Sequence, residues 1–433
     1  MNRDERGLAV TNTSDHAMRA LNDYARELLS LGTKAADVIG AANAMPECPL
    51  LQTYAASSYL YTQSLRQGAG AEPYLARATQ HVGEVSERER ILINSVRAGL
   101  GGDFQAALSG YEEIASRWPS DIVAAKLAEF HYFETGEADR QLKLMRKVAD
   151  ANPSNSHVLA MYAFALELNE MRDEAEHVAR RALEIDPLTM WAQHCLAHVF
   201  SGQSRVDEGI AAMRGFAPTW EQFSHYTVAH NSFHLGALLL DNRDFDQVRD
   251  LYRARIWGFD RDAVVELTDS ILLLWYVELA GGRVEEEWRE IAAHLRDRVT
   301  EHIFPFLKTI FLYALARAGE REVVADAIDS MQRHADAQTG GLRKVWKEIG
   351  MPLARGCVAF AYGDWVSAAS MLGPILPEVA CCGGSDEQRG VFIQSHIVSL
   401  IRGKNRDAAR GAVENYIADR PVTLLERHWL SEI

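Results

Sequence analysis

The stretch Ser156–Pro187, SHVLAMYAFALELNEMRDEAEHVARRALEIDP, decides the fold. It closes on Asp186-Pro187, and the same closure occurs upstream at Asn152-Pro153 and Trp118-Pro119, so that the three prolines stand 34 residues apart. Proline lacks an amide hydrogen and its ring clashes with the preceding turn, so each one ends a helix. A period of 34 residues is the length of one tetratricopeptide helix-turn-helix repeat. With Pro119 at position 32 of its repeat, repeats span 88–121, 122–155, 156–189 and 190–223. In the third, Ala163, Ala175, Ala179 and Ala182 fall where two helices must approach closely. The first repeat keeps Ala107 and Tyr111 at the matching places, whereas the second has Gln141 and Met145.

Outward from these repeats, apolar-periodic runs continue on both sides. Turns are expected at Asn242-Arg243, Gly281-Gly282, Gly319-Glu320, Gly363-Asp364 and Gly403-Lys404, and two further hairpins before residue 88. No alternation of β-branched residues suggests a sheet. Residues 1–433 therefore read as a single all-α domain, a tetratricopeptide-like α-solenoid of about nine helical hairpins. A nearly closed toroid is the alternative form.

Lysine and arginine total 45 against 60 acidic residues, a formal charge of −15. On that balance nucleic acid is excluded as a partner. Purely apolar runs such as Ile271 to Val277 are far below the ~20 residues of a spanning helix, so no membrane is expected. The charged start Met-Asn-Arg-Asp-Glu-Arg lacks a signal peptide's apolar region, and the five cysteines form no CxxC pair. A cytoplasmic protein with free thiols is the expectation.

Of fifteen histidines, His194, His198, His225, His230 and His234 fall within residues 194–234. An even spread would put about 1.4 there. His194 with His198, and His230 with His234, are i,i+4 pairs, and each shares one helix face. Tetratricopeptide phasing puts Trp191, His194 and His198 on the concave wall, with His157, Phe164 and Glu167 beside them from the third repeat. The four paired histidines are the candidate catalytic residues, as general acid and base near neutral pH. They are equally the candidate ligands of a divalent transition metal, zinc or iron. No cofactor is fixed by the sequence, since HExxH is missing and the imidazoles would also serve to tie repeats together. Trp191 is a stacking surface and Asn231 an orienting amide. Gly383-Gly-Ser-Asp-Glu-Gln-Arg389 would present a helix start to an anionic group, with Gln388 and Arg389 as ligand contacts. Its simpler reading is a capping box, Ser385 with Gln388. Cys381-Cys382 reads as structural, no basic partner being evident.

At Met161–Leu168, Trp191–Val199, His230–Leu235 and Gly383–Arg389 the chain resembles the tetratricopeptide repeat protein 38 family, in the family's order and over essentially the whole length. The resemblance implies an all-helical repeat fold whose motif residues gather around the interior, and no settled activity. The family pattern carries Glu-Met where this chain has Phe200-Ser201, and His-Ala where it has Asp386-Glu387. It carries Asp and His where this chain has Lys308 and Ile310.

The function expected is binding of a small molecule or short peptide in the concave channel through the histidine-rich pocket. Chemistry there would make the protein a hydrolase or a biosynthetic enzyme using imidazole or a histidine-bound metal. The alternative is a non-catalytic scaffold with a protein partner and structural histidines.

Overall fold

Each proline-closed run becomes a helix that stops two residues before its proline. The computed structural model describes residues 2–418 and 420–433. Its helices Phe104–Arg117, Ala138–Ala151 and Arg172–Ile185 end on Trp118, Asn152 and Asp186, whose φ/ψ of −137/67°, −132/52° and −145/106° lie outside the helical region. A residue preceding proline is driven out of that region by the ring's Cδ, so the break is dictated locally. First helices of the four repeats begin at Glu87, Ile122, Ser156 and Met190. The fold is all-α, an array of tetratricopeptide-like hairpins.

The chain forms two compact units by internal packing. The first comprises residues up to Phe133, Glu137–Leu196 and Pro218–Thr227. Its core is continuous from Leu21, Tyr24 and Tyr54 through Leu92, Tyr111 and Leu127 to Val148, Val158 and Met161. Ala175, Ala179 and Ala182 are fully buried within their hairpin. Neighbouring repeats are also tied by hydrogen bonds. Asn152 Nδ2 donates to Pro119 O at 3.0 Å and to Val148 O at 2.7 Å, and Asn169 Nδ2 repeats the device on Ala138 O at 3.0 Å and Ala165 O at 2.7 Å.

One element departs from the all-helical expectation. Asn2–Arg3 and Ala9–Val10 pair as a two-residue antiparallel ladder. The carboxylate of Asp4 organises the turn by accepting the Arg6 and Leu8 amides at 3.0 and 2.9 Å, and Gly7 supplies a φ of +79°. Such a turn needs no alternating run, so periodicity does not reveal it.

The second unit comprises Glu134–Gly136, Ala197–Ala217 and Val228–Ile433. Its hairpins pair Val264–Leu279 with Glu285–Ala292, Pro305–Arg317 with Arg321–Ala337, Met351–Ala361 with Trp365–Leu372, and Asp386–Arg402 with Arg406–Ile417. Trp275 and Tyr313 stack at 3.4 Å in its core, and Trp275 Nε1 donates to Ser395 Oγ at 3.0 Å. One helical run, Trp365–Cys382, reaches a mean hydropathy of 1.3 over 18 residues. That is a statement of length and composition alone, and Pro374, Pro377 and Glu378 interrupt it.

Candidate functional site

Helix Met190–Gly202 carries the first histidine pair, and helix His225–Asp241 the second. Within the second unit, His198, His230 and His234 come together. The His198 and His234 rings are 4.6 Å apart, and those of His230 and His234 are 4.8 Å apart, edge to face. His230 Nε2 and His234 Nε2 stand at 3.4 Å.

Three carboxylates that sequence reading did not select complete the cluster. Asp269, 2% exposed in the apolar helix Val264–Leu279, meets His230 Nδ1 at 2.9 Å through Oδ1. Asp386 Oδ1 meets His198 Nδ1 at 3.1 Å, and Glu387 Oε2 lies 3.5 Å from His234 Nδ1. Ser201 Oγ donates to the other Glu387 oxygen at 3.2 Å. Asp386 and Glu387 open the helix Asp386–Arg402, where the positive end of the macrodipole favours carboxylates. Acids in a first turn are usually read as caps, and the signal available was that two stood together beside a glycine pair.

That pair is why the helix begins here. Gly383 and Gly384 have φ of +89° and +85°, and a Cβ on either would run into Phe304 or Phe306. Ser385 and Gln388 then form the reciprocal capping box, so Gln388 spends its amide oxygen on Ser385 N at 3.1 Å. Arg389 Nη1 donates to Gly384 O. Tyr276 OH donates to the Glu387 carbonyl and fixes the first turn from the side. A Cβ at residue 390 would collide with that hydroxyl. Gly390→Ala is therefore expected to lower stability by about 1–3 kcal/mol, the usual cost of overpacking. Adding Tyr276→Phe should recover part of the loss in thermal melts, and no recovery would refute this account of the turn.

Burial opposes ionisation of Asp386, but the hydrogen bond from His198 and its charge outweigh it and hold the carboxyl well below the ordinary range. His234 is pushed the other way. Burial, joined by His198 and His230, drives its pKa well below the usual imidazole value, so it stays neutral. A neutral imidazole flanked by two carboxylate-paired imidazoles can accept a proton and pass one on. Two buried groups, Asp269 Oδ2 and Asn231 Nδ2, find no hydrogen-bond partner among the described residues. A metal has a donor set as well, since one ligand atom each from His198, His234 and Glu387 lie within 4.8 Å of one another. The carboxylate in that set is an addition to the four histidines expected from sequence.

The other expected site residues belong to the first unit. His194 stacks on Trp191 at 4.2 Å, and Phe164 packs edge-on against both. Trp191 Nε1 donates to Glu129 Oε1 at 2.9 Å, and Lys126, paired with Glu129, lies 4.3 Å from the indole centroid. The indole face is thus already engaged. Glu167 is fully buried, 3.7 Å from Arg172 Nε, and burial pushes the His157 pKa down.

The cysteine reading needs a correction. Cys381 does have a basic neighbour: its pKa is lowered first by the Cys382 thiol and then by Lys344, while burial acts against both. Lys344 is 37 residues upstream, so local sequence could not disclose it.

No family model matches the chain. Among solved structures it is similar to a monomeric mutant of IFIT1 with Gppp-AAAA, at 12% identity and a TM-score of 0.43, over 95% of this chain and 98% of that one. It is similar also to the human IFIT1 dimer with PPP-AAAA, at 12% identity and a TM-score of 0.38, over 98% and 91%. At that distance the likeness transfers no ligand to this chain. The exclusion of nucleic acid drawn from the net charge of −15 is corrected here: the two structures named are solved with Gppp-AAAA and PPP-AAAA, and overall charge does not decide the question. A charge averaged over a chain does not describe the local potential that phosphates meet.

Proposed function

We propose that this chain binds a small polar molecule at the imidazole–carboxylate cluster of its second unit and moves a proton on or off it. The observation that carries the reading is the run Asp269, His230, His234, His198, Asp386, with 2.9 and 3.1 Å hydrogen bonds at its ends. Structural histidines that merely tie helices need one partner each. Here three imidazoles share one another and two carboxylates, an arrangement that separates protonation states within one site. The partnerless Asp269 Oδ2 and Asn231 Nδ2 support a polar ligand, since buried polar atoms are rarely left unsatisfied. Kinship with the tetratricopeptide repeat protein 38 family is part of the proposal, because the motif stretches behind it contribute His198, His230, His234, Asp386 and Glu387. A cytoplasmic setting is supported by the five free cysteines.

The test is a thermal-shift screen of small metabolites against wild type, His198→Ala, His230→Ala and Asp269→Asn. Ligands that stabilise the wild type should bind the variants at least ~10-fold more weakly, as expected for lost charge-assisted hydrogen bonds. Turnover of such a ligand should fall ~10²–10⁴-fold in His234→Ala. Equal stabilisation in all four proteins would move binding elsewhere and leave a protein-interaction scaffold as the better reading.

A further inference from the structure

We propose that His198, His234 and Glu387 form a divalent transition-metal site of the two-histidine, one-carboxylate kind. The inference rests on the proposed function in so far as it uses the same cluster, but it requires a different property of it, namely convergence of three donors on one point.

Two ligand atoms held about 2.1 Å from one cation stand about 3.0–3.4 Å apart, from right-angle to tetrahedral geometry. The His234 Nδ1 to Glu387 Oε2 separation of 3.5 Å stands just outside that range. The three donors lie within 4.8 Å of one another, so closure needs about an ångström of side-chain movement. The three helices that carry them belong to one compact unit where these residues sit.

The hydrogen bonds behind the donors favour the required tautomers. His198 Nδ1–H donates to Asp386, which makes Nε2 its ligating nitrogen. Asp269 accepts from His230 Nδ1–H, so His230 Nε2 is an acceptor for His234 Nε2–H, and His234 presents Nδ1 on the side of Glu387. Each ligating imidazole is thus backed by a carboxylate, His198 directly and His234 through His230. Outer-shell carboxylates of this kind orient metal-binding histidines and raise their basicity. Ser201 does the same for Glu387 by donating to Oε1. Two nitrogens and one oxygen suit zinc, iron(II) or cobalt(II), and disfavour calcium and magnesium, which prefer all-oxygen shells. Three protein ligands leave coordination positions for water or a substrate oxygen.

Cobalt(II) is the probe. Full-length protein stripped with EDTA and titrated with cobalt should take up one equivalent and develop visible d–d absorption. Glu387→Gln, which preserves shape, should weaken uptake ~100-fold, and Asp269→Asn, two bonds away from the ion, ~10-fold. Circular dichroism and melting of the metal-free variants verify that each is folded, and His198→Ala provides a second ligand deletion. No d–d absorption in wild type, or equal uptake by Glu387→Gln and His198→Ala, overturns the site. Running the metabolite screen in EDTA separates the two proposals. Ligand binding that still depends on His230 while cobalt uptake fails removes the metal alone. Cobalt uptake without any His230-dependent ligand removes the proton-transfer reading alone.

Discussion

Arg88→Met is expected to cost the first unit about 3–5 kcal/mol, because it strands a carboxylate in the core. Arg88 is 3% exposed and its Nη1 pairs with Asp121, which is fully buried. Nη2 also donates to Ala9 O at 3.0 Å, and Asp121 Oδ1 caps the next helix by accepting the Ala124 amide at 3.1 Å. Asp121 therefore cannot move out to water without uncapping that helix. The same hairpin provides the control. Arg117 pairs with Glu87 at the surface, with side chains 40% and 48% exposed, and Arg117→Met should cost under ~1 kcal/mol. Urea unfolding of both variants decides the matter, and similar midpoint shifts would show that burial does not govern the Arg88 pair.

Acidification below pH 6.5 is expected to draw stability from the buried histidines, against an opposite contribution from Asp241, whose carboxyl burial pushes up to about 7. Burial pushes the pKa of His157, His234, His302, His334 and His396 down. At these five positions the unfolded chain takes up protons near pH 6.5 and the folded one does not, so their contribution to stability falls as pH drops below 6.5 and goes on falling to the folded pKa. For His302, held at about 3 by burial, Lys308 and His334, the ring is part-exposed and screened by solvent, and the loss by pH 5 is about 1 kcal/mol. Asp386 adds its own loss only below about pH 4, the unfolded carboxylate value, because its folded pKa is depressed. His302→Asn should shift the difference in unfolding free energy between pH 7.5 and pH 5 by about that 1 kcal/mol, removing the loss on acidification. The bond from His302 to Ser330, 3.0 Å, is lost equally at both pH values and drops out of the comparison. An unchanged difference would mean that His302 protonates freely in the folded protein.

The helices were legible because their stops are local. Pro119, Pro153 and Pro187 act on the residue before them, and glycine or Asn-Arg turns need no distant partner. The histidine pairs were legible for the same reason, since i,i+4 spacing is a property of one helix. Asp269 was not, because it stands inside Leu267–Val277, where the pattern signals only a buried face. Asp386 and Glu387 looked like first-turn acids and departures from a family pattern. What brings them to His198 and His234 is tertiary packing across more than 150 residues, helped by a helix start wedged against Phe304 and Phe306. No periodicity encodes such a meeting.

The paired asparagine bonds of the first unit bear on how it comes apart. Asn152 and Asn169 each hold a carbonyl of their own helix and one of the preceding repeat, so releasing a single repeat strips acceptors from its neighbour. Loss then spreads as blocks of about 34 residues rather than as gradual fraying. A protease would meet intact hairpins or fully open ones, and its cuts would fall within the open ones.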